Sequence, residues 1–185
     1  KNVCIATDQG MVKFGLLKKL TDELDAKGIS YHVFADIESD PSTEIVEKGL
    51  MHIIMNKPDA LIAIGGGSVL DAAKVMTLIC EYDGLTIEAI KTGQAPEKRE
   101  RIKLVAIPTT SGTASEVTRA AVITFPAENI KIGLKTKAFI PDLAILDGEL
   151  AMSMPSTVMV ESGMDALTHG LEAYINKNAD DFTKT

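Results

Sequence analysis

Cysteine is scarce in this chain, and basic charge is in deficit. Only two of the 185 residues are cysteines, Cys4 and Cys80, far apart and without CxxC spacing. They read as small buried hydrophobes in a reducing compartment rather than as a disulfide pair or a redox motif. Lys and Arg number 19 against 26 Asp and Glu, a net charge of −7. Nucleic acid and anionic membranes attract clustered Lys and Arg, so neither is an expected partner. No apolar run approaches the roughly 18 residues needed to cross a bilayer, and no signal-peptide pattern precedes the first strand. A cytoplasmic protein is the expectation. Internal repeats and low-complexity tracts are also missing, as is the GxGxxG spacing of the usual dinucleotide turn.

What is present is an ordinary globular composition, 45% apolar and 24% charged. The length allows one substantial core, or one domain and part of another. Apolar runs and helical periodicities alternate. Residues 2–7 read as a strand and 12–28 as a helix ending at Gly28. A second strand over 29–37 is followed by a helix over 42–57, with Ser42 or Thr43 as its N-cap and Pro58 beyond its end. Residues 59–67, DALIAIGGG, form an almost wholly apolar strand running into glycines, and SVLDAAKVMTLICEY continues as a helix. This alternation predicts an α/β fold with a parallel sheet and right-handed crossovers. Further on, 102–108 reads as a fourth strand and 118–136 as two strands joined by a turn at 126–129. Residues 139–147 read as another strand, and the chain is helical from Pro155. The shift near residue 150 divides an α/β domain, 1–150, from a helical segment, 151–185.

Three places carry polar groups suited to chemistry. Gly65, Gly66 and Gly67 stand where a buried strand meets a helix, so the backbone can approach a ligand and the helix N-terminus can receive a phosphate. Ser68 and Asp71 have the spacing of a capping box for that end. The plain alternative is a tight, capped turn without a ligand. The second place, IPTTSGTASEVT, follows the fourth strand and should emerge at the same carboxyl edge. Its Thr109, Thr110, Ser111, Thr113 and Thr118 suit phosphate and hydroxyl oxygens, or else bond their own backbone. Asp8 ends the first strand at that edge, where it could accept from ribose hydroxyls or merely form a turn. In the third, GMDALTHGLEAY, Asp165 and His169 are four apart on a helical pattern and can face one divalent cation, Fe²⁺ or Zn²⁺, or else form a surface pair. His32 and His52 read as structural. The chain thus offers two ligands where a closed site needs about four.

Together, GGGSVLDAAK, IPTTSGTASEVT and GMDALTHGLEAY resemble, in order and spacing, the iron-containing alcohol dehydrogenase family, which includes lactaldehyde reductase and 1,3-propanediol dehydrogenase. The resemblance runs along essentially the whole chain. It implies a Rossmann-like domain of dehydroquinate synthase-like architecture holding NAD, followed by the start of an all-helical metal domain. Residue by residue, Asp8 matches a ribose-contacting acid, and Asp40 stands where an Asn is common. Gly66, Gly67 and Ser68 match the pyrophosphate loop. Thr109, Thr110 and Thr118 match a second cofactor segment, Lys131 a lysine near the nicotinamide ribose, and Asp165 and His169 the first two of four metal ligands. The other two family ligands lie downstream, so the resemblance implies an N-terminal fragment, itself expected to bind dinucleotide without catalysing. The activity implied for the intact protein is metal-dependent hydride transfer between NAD and a small primary alcohol, diol or aldehyde, in an expected homo-oligomer. No side chain stands out as a catalytic base. The rivals are a dehydroquinate synthase-like lyase, a glycerol dehydrogenase relative and a nucleotide-binding module without chemistry.

Overall fold

The computed structural model describes residues 1–184. Its elements in chain order are β1 (Asn2–Ala6), α1 (Gln9–Lys13), α2 (Lys18–Ala26), β2 (Ser30–Phe34), α3 (Thr43–Asn56), β3 (Ala60–Gly65) and α4 (Gly67–Glu81). Then follow α5 (Ile87–Lys91), β4 (Lys103–Pro108), β5 (Ala120–Phe125), β6 (Ile130–Lys135), β7 (Leu143–Ala144), α6 (Gly148–Ala151), α7 (Ser156–Ile175) and α8 (Asp181–Lys184). Five strands form one parallel sheet in the order β2-β1-β3-β4-β7, and β5 and β6 pair antiparallel beside it.

Alternation of side chains across a strand explains why the central strands are apolar throughout. Cys4 and Ala6 of β1, Leu61 and Ala63 of β3, and Leu104 and Ala106 of β4 face a core shared with α3, α4 and the β5–β6 hairpin. Val3, Ile5, Ile62, Ile64 and Ile107 face the opposite layer, against Met11, Leu17 and Leu24. α4 lies between the sheet, α3 and the hairpin, and Val69, Leu70 and Ala72–Ile79 are buried around its whole circumference.

Three local expectations are corrected. The first helix is broken in two, because Gly15 adopts φ +69° between α1 and α2. The strand expected over 139–147 shrinks to Leu143–Ala144, pairing with β4 at two positions. The Asp142 carboxylate just before it accepts from Lys103 Nζ and the Leu104 N–H, both at 2.9 Å, so side-chain bonding holds this edge where a ladder would have. The capping box is also absent. Gly66 is the N-cap of α4, no side chain caps that end, and Asp71 turns inward. The hairpin is as expected, turning at Pro126–Glu128 with Asn129 left-handed at φ +53°. Ser42, rather than Thr43, caps α3 by accepting from the Ile45 N–H. No helix among the described residues is long and apolar enough to cross a membrane.

Candidate functional site

From β1 the chain crosses to β2 on one side, and from β3 to β4 on the other. The carboxyl ends of β1 and β3 therefore flank a switch point, where open α/β sheets bind their ligands. Thr7 closes the base of this crevice, its hydroxyl donating to the Ile64 carbonyl at 2.7 Å.

The glycine turn leaves β3 here. Gly65 has φ +156°, and a side chain on it would strike Val69. The next loop lies directly against the turn: a Cβ on Gly67 would fall 2.6 and 2.7 Å from Thr113 Cγ2 and Oγ1, while one on Gly66 would meet Thr110 at ordinary contact distance. Thr109 joins the two loops at the root, donating its N–H to the Gly65 carbonyl at 3.0 Å. Glycine at 67 is thus required by the threonine loop pressing on it, and at 65 by Val69 and the backbone conformation. The result is an uncapped N-terminus of a 15-residue helix, walled by hydroxyls.

Asp40 and Lys131 reach the same place from two other segments. The Asp40 N–H donates to Ser68 Oγ at 3.3 Å from a left-handed backbone, φ +56°, and its carboxylate pairs with Lys131 of β6. Their approach is fixed by the Thr124 N–H, which donates to the Pro41 carbonyl at 2.9 Å. Asp8 caps α1, accepting from the Met11 N–H at 3.0 Å, and a second carboxylate, Asp36, lies close by through Gln9 Nε2 at 3.3 Å. Asp8, Asp40, Gly66, Gly67, Ser68, Thr109, Thr110, Thr113 and Lys131 thus belong to one edge of the sheet.

Two of the residues singled out in the sequence point elsewhere. Asp71 accepts from Ser115 Oγ at 2.5 Å and from the Val122 N–H at 2.9 Å, and Thr118 Oγ1 lies 3.1 Å from Lys74 Nζ. Both serve a polar cluster inside the fold. At its centre is Lys74, which sequence reasoning passed over: its side chain is 1% exposed, and burial lowers its pKa to about 8. Burial likewise raises the Asp71 pKa, against the pull of its donors. A lysine inside VLDAAKVMTLIC, three residues after an aspartate, was the available signal.

The third motif lies on α7, none of whose residues is fully buried. Asp165 Oδ1 and His169 Nε2 are 3.7 Å apart on adjacent turns, 40% and 55% exposed. An oxygen and an imidazole nitrogen so placed fit half of a transition-metal site. Among the described residues no group of three or more His, Cys, Asp or Glu could hold a metal. α7 meets the α/β unit at the threonine loop: a Cβ on Gly112 would lie 2.7 Å from the Ser162 carbonyl. A groove of about 670 Å³ lies at the opposite, amino edge of the sheet, lined by Ile53, Lys57, Ile79, Tyr82 and Arg101 among others. It has neither a helix N-terminus nor a converging hydroxyl loop.

Residues 1–148 match the family model for iron-containing alcohol dehydrogenase. The 1-propanol dehydrogenase PduQ of Citrobacter freundii is 41% identical over 99% of this chain and 45% of its own length. The NADPH-dependent butanol dehydrogenase of Clostridium saccharobutylicum is 43% identical over 89% of this chain and 43% of its own. A sulfoacetaldehyde reductase from Bifidobacterium kashiwanohense, solved in complex with NAD+, superposes with a TM-score of 0.84 at 31% identity, covering 94% of this chain and 45% of that one. The chain spans between 22% and 45% of the length of such curated relatives. The family's designation specifies iron, and zinc finds no support in these matches. A match over 148 of the residues, with the glycine turn and threonine loop meeting as the motifs require, places this chain in the iron-containing alcohol dehydrogenase family.

Proposed function

We propose that the α/β unit, residues 1–150, binds NAD across the carboxyl ends of β1, β3 and β4, and that the intact protein oxidises small primary alcohols or diols, or reduces the matching aldehydes. The observation that carries the reading is the contact of Gly67 with Thr113 at an uncapped helix N-terminus. A pyrophosphate is the ligand that such a cradle suits: free N–H groups, a positive dipole end and surrounding hydroxyls. Gly66, Gly67 and Ser68 would hold it, with Thr109, Thr110 and Thr113 alongside. Lys131 would exchange its Asp40 partner for a ligand oxygen. Asp8 would accept from a ribose hydroxyl and repel a 2′-phosphate, favouring NAD over NADP.

The 151–185 segment supplies Asp165 and His169, which would hold a divalent iron. When bound, the nicotinamide provides hydride chemistry and the iron Lewis acidity. The residues here orient and hold; none is placed as a base. The comparisons favour neither the lyase nor the glycerol dehydrogenase reading. Two free cysteines agree with a cytoplasmic location, and assembly into a homo-oligomer belongs to the same proposal. Calorimetric titration of the chain tests the reading. Saturable NAD binding, with NADP weaker, supports it; no binding of either overturns it.

A further inference from the structure

Lys74 is buried two turns down α4 from the glycine turn, about 10 Å along the helix axis. An ammonium has three donors, and three acceptors meet it: Ser115 Oγ at 2.7 Å, Thr118 Oγ1 at 3.1 Å and the Ala120 carbonyl at 2.8 Å. All three belong to the far end of the threonine loop and the start of β5. Asp71, one turn earlier, lies 3.7 Å from Nζ and accepts from Ser115 Oγ and the Val122 N–H. The near end of the loop is held separately, by the Thr109 N–H on the Gly65 carbonyl. The loop that presses Thr113 on Gly67 is therefore pinned at both ends, and Lys74 is one of the pins.

We propose that Lys74 is a positioning residue for the dinucleotide site, setting the separation between the glycine turn and the threonine loop by bonding α4 to residues 115–120. The proposal rests on the dinucleotide reading above. The charged groups facing Lys74 are Asp71 on its own helix and Glu116 on the turn packed against it. Burial brings its pKa to about 8, so between pH 7 and 9.5 the group loses its charge and one of its three donors. The far pin then weakens without any substitution.

The test compares the wild-type chain with Lys74→Met and with Asp71→Asn/Lys74→Met, which leaves no buried charge unpaired. One arm follows amide exchange in the free chains at pH 7. Ser115, Val117 and Thr118 should exchange at least tenfold faster in both variants, while Thr109, held by its own bond to Gly65, stays protected with β1 and β3. The other arm titrates NAD from pH 7 to 9.5. Wild-type affinity should fall about tenfold across that range; both variants should bind at least tenfold more weakly at pH 7 and show no further fall. Folded variants with wild-type exchange and the wild-type pH profile overturn the proposal. So does a flat wild-type profile, which decides the matter if neither variant folds. If the wild type takes up no NAD, the dinucleotide reading fails, and the exchange arm alone upholds or overturns the positioning role.

Discussion

At Gly67 there is room for a hydrogen atom and nothing larger, because Thr113 occupies the space a Cβ would need. Gly67→Ala is therefore expected to push the threonine loop outward. The substitution also favours the helix, by up to about 1 kcal/mol, so denaturation should move by less than that, while NAD affinity falls tenfold or more. A variant that binds NAD normally would show the contact to be incidental. Lys74 and Cys4 give a second prediction at this scale, on pH. Burial lowers the Lys74 pKa to about 8 in the folded chain, against 10.5 for a solvated lysine, so the unfolded chain binds more protons between those values and stability should rise with pH from 8. Cys4 is shifted the other way, from 9.0 to about 12 by burial, so above pH 9 the unfolded chain loses a proton that the folded chain keeps, and stability falls. A rise on the order of 1 kcal/mol between pH 8 and 9, followed by a plateau or decline, is expected in urea denaturation. Lys74→Met should abolish the rise, and Cys4→Ala should lessen the decline, to which the half-buried Cys80, its thiol also pushed up by burial, contributes.

Among the elements, those whose pattern reports burial directly were readable in the sequence. β3 is apolar on both faces because both are covered, and the hairpin is marked by its turn. The break at Gly15 was missed because Phe14, Leu17, Leu20 and Leu24 keep helical spacing across it; spacing alone does not show that a glycine has gone left-handed. The capping box failed for a different reason. Asp71 has the right spacing from Ser68, but the donors of β5 and Ser115, brought up by tertiary packing, claim its carboxylate. α7 has little of its surface covered: Val160, Met164, Leu167, Leu171 and Tyr174 are all more than half exposed. Its amides should exchange at least a hundredfold faster than those of α4, because local opening exposes little that is buried. Equal protection would mean that α7 is covered in solution, for example by a second copy.

Across the whole molecule, residues as distant in sequence as Asp40, Ser68 and Lys131 converge on one edge of the sheet, while Asp165 and His169 sit on a helix that meets the α/β unit at Gly112 and Ser162. Asp40 and Lys131 were placed only by the family resemblance, whereas for Ser68 and the threonine loop the convergence was legible because parallel strands deliver their following loops to the same edge. Which threonine faces the crevice and which faces Lys74 was not, since that depends on how the loop is pinned. Separate supports imply separable losses. Asp165→Ala and His169→Ala should each lower Fe²⁺ binding at least tenfold, read anaerobically by elemental analysis after dialysis, while changing NAD affinity less than twofold. The most direct test of the dinucleotide site is amide exchange with and without saturating NAD. Protection should appear at Gly66, Gly67, Ser68 and the loop from Thr109 to Thr113. Protection confined to the opposite groove around Lys57, Tyr82 and Arg101, or none under saturating NAD, would contradict the site.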